Sequence, residues 1–530
     1  MTNKLTTLLT NISSGKKKKN QTTILGKSSD NFFNAKVILL PVKEGGKFTV
    51  VLNEEQALGF GINAEDKVSL LKENGEKIVT EVAFSDLIKP GTVGVYQDVV
   101  ERFPVVEKEP LSIQVTQSSS VANDAIRKKM KGENISYEEM FAIIKDISEG
   151  KLSEIMMTYY VASSFFYPTT DEEMYQTAKA MAECGIMFKY PKGEIVADKH
   201  CIGGVPGNET TMIIVPLIAS LGIKIPKNFS KAITSPAATG ECVNVLMDIN
   251  FNQGQIEKLI EDINCCLVWG GGLDLAPADD KIIKVQYPLS MQSRAKVVSS
   301  IMAKKYAMGV THLLIDIPVG ATAKVSTMEE ALDWKKKFEF VGDKLGIKMS
   351  VQITPANEVV GNGVGAVLQV REVLRVLQQH EKRPADLETK SVHLAAKIIE
   401  MVGLAKGKKA DALARKQLAS GEAWKMMQTI IKAQKGKPEV SSEKLNIGKH
   451  SFEVVATEEG KVTAINLHNI NQIARRLGCP IVDEAGLYLH KKIGDKVKKG
   501  EVLYTMYAND DTKISLAKEQ QELRPAYTIK

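Results

Sequence analysis

The chain has 530 residues, a net charge of +7, 44% hydrophobic residues and 25% charged residues. These proportions exclude a disordered, collagen-like or coiled-coil chain, and at roughly 100–200 residues per domain the length calls for about three to four domains. A charge of +7 is mild for this length: it suits anionic substrates and does not by itself point to nucleic acid.

Residues 1–34 read as a flexible leader. The opening MTNKLTTLLTNISSGKKKKNQ has no apolar stretch ending in small residues, so it is not a secretory signal. The basic run Lys16 to Lys19 reads as a solvated tail. Residues 35–115 hold short β-rich runs, AKVILLPV, KFTVVL, KVSLL, KIVTEVAF and TVGVYQDVV, broken by Gly, Asn and Asp, which predicts a small β barrel or sandwich. A linker around Gln117 to Ser120 follows.

Residues 118–187, joined by part of 277–312, form a helical lobe. Its segments carry apolar residues at i, i+3, i+4, and Ser136 and Thr170 stand as helix caps. Residues 190–276 and 310–435 alternate strand and helix: EIVADKH, TTMIIVPLIASLG, KAIT, a helix around CVNVLMDI, THLLIDIPV, MEEALDWKKKFEFVGDKLG, KMSVQIT. That order predicts an α/β lobe with a mostly parallel sheet. Residues 440–530 turn β-rich again. The fold class is therefore α/β multidomain, with a small N-terminal β domain, a helical lobe, an α/β lobe and a C-terminal β-rich domain. The cysteines, at 184, 201, 242, 265, 266 and 479, show no zinc spacing and read as reduced thiols in a cytoplasmic protein without a structural metal. No uncharged apolar run of about 18 residues predicts a membrane span.

Three stretches can carry chemistry. The first is Asp198-Lys199-His200-Cys201-Ile202-Gly203-Gly204-Val205-Pro206-Gly207-Asn208-Glu209-Thr210-Thr211, between an apolar run and a helix. Glycines at a strand-to-helix turn let backbone approach a ligand, and a helix N-terminus offers free N–H groups to an anion. The loop matches neither a Walker A nor a GxGxxG pattern, so it is a phosphate or other anion loop, or a tight structural turn. The second stretch, Ser230 to Gly240, gathers hydroxyls and a lysine in a loop that binds a phosphate or sugar or is simply a polar surface loop. In the third, Ser300 and Lys304 share one helix face, which can hold a heterocycle's edge and a developing anion, or be a solvated face.

Taken together, DKHCIGG at 198–204, SKAITSPAAT at 230–239, PADD at 277–280 and SSIMAKK at 299–305 resemble, in order, the signatures of the thymidine/pyrimidine-nucleoside phosphorylase family. SKAITSPAAT and GGVPGN are most similar to its three-domain branch, which contains AMP phosphorylases and bacterial thymidine phosphorylase homologues and has an extra N-terminal β domain. The segment GDKVKKG at 494–500 resembles the family's hammerhead-like C-terminal domain.

The resemblance implies catalytic roles for His200, Ser300 and Lys304. It implies phosphate or substrate binding by Lys199, Gly203, Gly204, Gly207, Thr211, Ser230, Lys231, Ala232, Ile233, Thr234, Ser235, Thr239 and Lys324. It implies pentosyl transfer to inorganic phosphate as co-substrate, from a nucleoside or nucleoside 5′-monophosphate, with no cofactor and no metal. A homodimer or larger homo-oligomer is expected, with no nucleic acid or membrane as partner.

The chain also departs from the family. Cys201 replaces a Ser, Ala238 a Gly, and Lys231 an Arg, which gives up bidentate geometry for a point charge. An Arg of the pyrimidine-specific enzymes is missing around Lys284-Val285-Gln286, and Gln292 replaces a proton-donating Asp of the AMP branch. These departures leave the substrate open, and they also suit a nucleotide-binding protein with a decayed site.

Overall fold

The computed structural model describes residues 32–116, 118–232, 235–286 and 293–530. The basic run at Lys16 to Lys19, and Ile233, Thr234 and Gln292, lie outside the described residues. The chain divides into two compact units, residues 1–117 and 118–530.

The described part of the first unit is a closed barrel. Its strands are β1 (Phe32–Leu40), β2 (Thr49–Leu52), β3 (Lys67–Leu71), β4 (Lys77–Phe84), β5 (Thr92–Tyr96) and β6 (Pro110–Val115), in spatial order β1-β5-β2-β4-β3-β6. Along β1 Phe33, Ala35 and Val37 point inward and their neighbours outward, the period-two pattern of a strand buried on one face. Val50, Val68, Leu70, Val93, Val95 and Ile113 complete the core. The leader boundary moves: Phe32 to Asn34 already pair with Gln114 to Ser112. Two short helices, α1 (Glu54–Gly59) and α2 (Gln97–Arg102), interrupt the strands, and the second takes the QDVV that reads as strand in the sequence.

The second unit begins with α3 (Ser120–Met130), α4 (Tyr137–Ser148), α5 (Glu154–Phe166) and α6 (Asp171–Glu183). Ser136 and Thr170 each close a capping box, with Glu139 and Glu173 answering three residues on. Next come β7 (Ala197–Cys201), α7 (Thr211–Ala219), β8 (Ile225–Phe229), α8 (Thr239–Asn244), α9 (Gln253–Ile263) and β9 (Cys265–Trp269). The chain then returns to the helical bundle with α10 (Pro277–Gln286) and α11 (Arg294–Ala307), α11 packing on α6 and α10 on α4. It continues through β10 (His312–Val319), α12 (Met328–Lys344) and β11 (Lys348–Pro355).

Strands β11, β10 and β7 pair in parallel, as do β8 and β9, and one parallel bridge between Val196 and Lys224 links the two sets. Of the KAIT expected as a strand, the described residues Lys231 and Ala232 lie outside any strand, after β8 ends at Phe229. The helix expected over CVNVLMDI ends at Asn244, and Leu246, Met247 and Ile249 pack as buried loop residues instead.

A short strand, β12 (Gly363–Val364), precedes α13 (Ala366–Leu377), α14 (Ala385–Met401), α15 (Lys408–Ala419) and α16 (Glu422–Ala433). The C-terminal strands are β13 (His450–Val455), β14 (Gly460–Ile465), β15 (Gly486–Leu489), β16 (Lys496–Val497), β17 (Val502–Ala508) and β18 (Tyr527–Ile529). They make the sheets β12-β15-β17-β13 and β16-β14-β18. The β-rich expectation omits two helices there, α17 (Leu467–Leu477) and α18 (Asp511–Leu523), which pack on each other. Among the described residues no helix is long and apolar enough to cross a membrane.

Candidate functional site

A cleft of about 800 Å³ opens where β7 ends and α7 begins. The turn between them needs glycine. Gly203, Gly204 and Gly207 sit at φ +85°, +92° and +76°, a region L side chains rarely enter. A Cβ on Gly204 would stand 2.6 Å from the Cβ of Lys324 and 2.7 Å from its backbone nitrogen. A Cβ on Gly207 would stand 2.4 Å from the carbonyl oxygen of Val360. The loop is thus packed against neighbouring backbone, with its exposed edge facing the cleft.

Strand β7 supplies the charged floor. Asp198 is fully buried and receives Lys305 at 2.6 Å and Lys227 at 3.4 Å. Lys305 also donates to the side-chain oxygen of Asn228 at 2.6 Å. Burial, which Asp198 offsets only in part, and the nearby Lys305 pull the Lys227 ammonium down from its ordinary range. Lys199, 1% exposed, donates from Nζ to the Thr210 hydroxyl at 2.7 Å. Burial, and then the ammoniums of Lys305, Lys227, Lys199 and Lys304, hold His200 well below its usual value, so the ring is neutral at neutral pH. Cys201 accepts from the Gly203 N–H and the Asn208 side chain, both at 3.4 Å, and burial pushes its thiol up to about 11.

Of the expected residues, Lys199, His200, Gly203, Gly204, Gly207, Thr211, Ser230, Ser235, Thr239 and Lys324 line this one cleft. Lys231 does not: its ammonium lies 4.6 Å over the Trp269 ring. Ala232 spends its N–H on the Glu241 carboxylate at 3.0 Å, and Glu241 also accepts from Ala238 N–H, so this stretch is shaped from within.

Ser300 and Lys304 are brought together but are not among the cleft-lining residues. Both contact one oxygen of Asp279, which α10 presents: Ser300 Oγ donates at 2.6 Å, and Lys304 Nζ lies 2.7 Å away. Burial depresses the Lys304 ammonium, but contact with Asp279, helped by Asp280, outweighs it and holds the pKa above the ordinary value. Lys304, with 18% of its side chain exposed, is not a solvated helix face.

Several cleft residues were not singled out from the sequence. Glu209, 3% exposed, accepts from the Thr239 hydroxyl at 3.0 Å. Burial pushes its carboxyl up to about 7, against the pull of Lys199, Thr239 and Lys227. Gln286 lines the cleft near the place of the missing Arg, and its side-chain nitrogen is buried without a hydrogen-bond partner. Arg294 also lines it, engaged by Asp333 at 2.9 Å. From the C-terminal region, α17 contributes His468 and Asn471. Among the described residues no cluster of three or more His, Cys, Asp or Glu could hold a metal ion.

Three family models match the chain: a glycosyl transferase family helical bundle domain over residues 123–185, the a/b domain of that family over 193–424, and a pyrimidine nucleoside phosphorylase C-terminal domain over 461–530. A relative from Bradyrhizobium diazoefficiens, named "Putative thymidine phosphorylase", is 39% identical over 465 residues, 87% of this chain and 89% of its own length. Relatives named "AMP phosphorylase" include one from Thermofilum pendens, 37% identical over 90% of this chain and 92% of its own. Another, from Thermococcus kodakarensis, is 38% identical over 89% of this chain and 93% of its own. Among solved structures, anthranilate phosphoribosyltransferase from Thermus thermophilus shares the fold at a TM-score of 0.50 and 16% identity, covering 59% of this chain and 100% of that one.

Proposed function

The chain belongs to the thymidine/pyrimidine-nucleoside phosphorylase family of glycosyl transferases, and from that membership we propose how its cleft performs phosphorolysis. The substrate is a nucleoside or nucleoside 5′-monophosphate. Inorganic phosphate attacks C1′ of the pentose, the C1′–N bond breaks, and the products are the free base and a pentose 1-phosphate.

One observation carries this reading: a glycine-rich strand-to-helix turn with Lys199 beneath it shares a cleft with the hydroxyls of Ser230, Ser235 and Thr239. Bond breaking builds positive charge on the sugar and negative charge on the base, so the site must hold phosphate on one side and the departing base on the other. Lys199, the N–H group of Gly204, and the start of α7 at Thr211 provide the phosphate side. His200, held neutral, stands beside sugar and base as a hydrogen-bonding group rather than a cation. Cys201, a neutral thiol, gives phosphate less than a hydroxyl would. Ser300 and Lys304 serve the base. They stand on the helical lobe, so they meet the substrate when that lobe closes over the α/β lobe. The chemistry asks for no metal or organic cofactor.

A 5′-monophosphate is favoured as substrate by Lys324, an exposed cation at the rim of the same cleft, pinned to the turn through Gly204. The test is a panel of thymidine, uridine, AMP, CMP and UMP with and without phosphate, with free base as the readout. Phosphate-dependent release from at least one is expected; release from none would remove the enzyme reading and leave a nucleotide-binding protein.

A second expectation concerns the turn. Gly204→Ala forces a side chain to φ +92° and into Lys324. The left-handed conformation alone costs about 1–2 kcal/mol. The KM for phosphate should rise by about tenfold, the equivalent of 1.4 kcal/mol, with the circular dichroism spectrum unchanged. An unaltered phosphate KM would show that phosphate does not use this turn.

A further inference from the structure

The C-terminal segment Gly494 to Gly500 takes no part in the chemistry above, yet it shapes the turn that carries Lys492. Asp495 Oδ2 accepts from the Lys492 N–H at 2.7 Å, and the Asp495 N–H donates to the Lys492 carbonyl oxygen at 3.2 Å. From this turn the Lys492 side chain reaches the 358–362 loop of the α/β lobe. Its Nζ donates to the carbonyl oxygens of Val359 at 2.6 Å and Gly361 at 2.5 Å, and to the Asp386 carboxylate at 3.2 Å. These three partners account for the three donors of an ammonium. Asp386 also accepts from the Gly361 N–H at 3.0 Å. Two backbone contacts bracket the same loop: Ile493 N–H donates to Glu358 Oε2 at 2.9 Å, and Leu489 N–H to the Asn362 carbonyl oxygen at 2.8 Å. Between the two carbonyls that Lys492 holds lies Val360, where the loop meets the glycine turn. The Val360 N–H donates to the Pro206 carbonyl oxygen at 3.3 Å. Its own carbonyl oxygen is the atom that a Cβ on Gly207 would meet at 2.4 Å. Val205, one residue earlier in the turn, packs on the C-terminal core.

We propose that Lys492 is a positioning residue for phosphate: from the C-terminal domain it clamps the 359–361 backbone, and that backbone holds Pro206 and Gly207 in the form that presents the turn to the anion. The inference rests on the phosphate-side reading of the turn. Lys492 is not among the cleft-lining residues, so it acts on phosphate affinity and not on bond breaking. An anion site built from backbone is only as good as the fixity of that backbone, and the clamp supplies one wall of it. The coupling is reciprocal: a clamp that strengthens phosphate binding must itself be strengthened when phosphate binds.

Lys492→Met keeps the aliphatic stem and removes the donors. Its phosphate KM should rise by about tenfold, with kcat and the KM for the nucleoside or nucleotide within about twofold of wild type. Lys492→Arg, which still donates to carbonyls, should recover most of the affinity. An unchanged phosphate KM overturns the proposal. Equal losses in phosphate KM, nucleoside KM and kcat overturn it as well, because they mark a general loss of structure. Gly204→Ala, measured alongside, keeps the two readings apart. If it raises the phosphate KM and Lys492→Met does not, the clamp alone is refuted; if neither does, the phosphate-side reading falls and the proposal with it. A second measurement needs no variant. Hydrogen exchange of the full-length wild type, with and without saturating inorganic phosphate, should show slower amides at Val360, Gly361, Lys492 and Ile493 together with those of the turn. Slowing confined to residues 203–211 overturns the proposal.

Discussion

Replacing Lys304 by Met is expected to lower kcat/KM for phosphorolysis by about 10²–10³-fold, the usual cost of removing one group that stabilises a developing anion. Met fills the space of the aliphatic stem but leaves the buried Asp279 without its counter-charge. A stability loss of about 3–5 kcal/mol therefore accompanies the kinetic effect, and an unchanged circular dichroism spectrum is the check that the variant is folded when assayed. Asp279 would then keep Ser300 as its close donor, at 2.6 Å. The loss should appear mainly in kcat. A base that binds neutral and leaves anionic gains from the ammonium only as the bond breaks, and an interaction made only in the transition state lowers kcat and kcat/KM alike. The Lys304 pKa lies above its ordinary value, so the wild type should show no loss of activity from this group on the alkaline side below pH 9. Steady-state kinetics of both proteins over pH 6–9 check this, and a variant within threefold of wild type would remove Lys304 from the site.

The loop from Asp198 to Thr211 was legible because its signal is local: three glycines where backbone must take positive φ, between an apolar strand and an apolar helix. Ser300 and Lys304 were legible as a pair because helix geometry fixes their spacing. Their shared partner was not, since Asp279 comes from a different helix and only packing brings it within 2.7 Å. Strand β8 was missed for a related reason. IPKNF reads as polar, yet Lys227 and Asn228 are buried, 3% exposed each, because they pair with Asp198 and Lys305. Lys231 shows the opposite failure. In a loop of hydroxyls it reads as a phosphate ligand, but in the structure its ammonium lies over Trp269, at the end of the strand paired with β8. Helix α17 carried a readable stripe, Leu467, Ile470, Ile473, Ala474 and Leu477, all buried; its contribution of His468 and Asn471 to the cleft was not readable without the fold.

Asp198→Asn is expected to destabilise the protein by about 3–5 kcal/mol, the cost of removing one partner from a buried ion pair. The carboxylate is the acid that contacts both Lys305, 2% exposed, and Lys227, 3% exposed, and it also accepts the Lys199 N–H at 2.6 Å. Asparagine keeps the shape and an acceptor but leaves two ammoniums facing each other without a counter-charge. Asn228 can satisfy a proton of Lys305 but not its charge. The pH dependence identifies the mechanism. In the wild type, burial already depresses the Lys227 pKa despite Asp198; without Asp198 it falls further. Between that folded value and the unfolded value near 10.5, the unfolded chain holds more protons than the folded one. Stability must then rise with pH. The wild type shares that rise only above its own folded value of about 7, so the deficit of the variant, read from urea unfolding, should shrink between pH 5 and pH 7. A deficit below about 1 kcal/mol at pH 5 would mean that the lysines are already neutral or that solvent reaches them. A deficit that does not shrink would point to lost hydrogen bonds rather than lost charge.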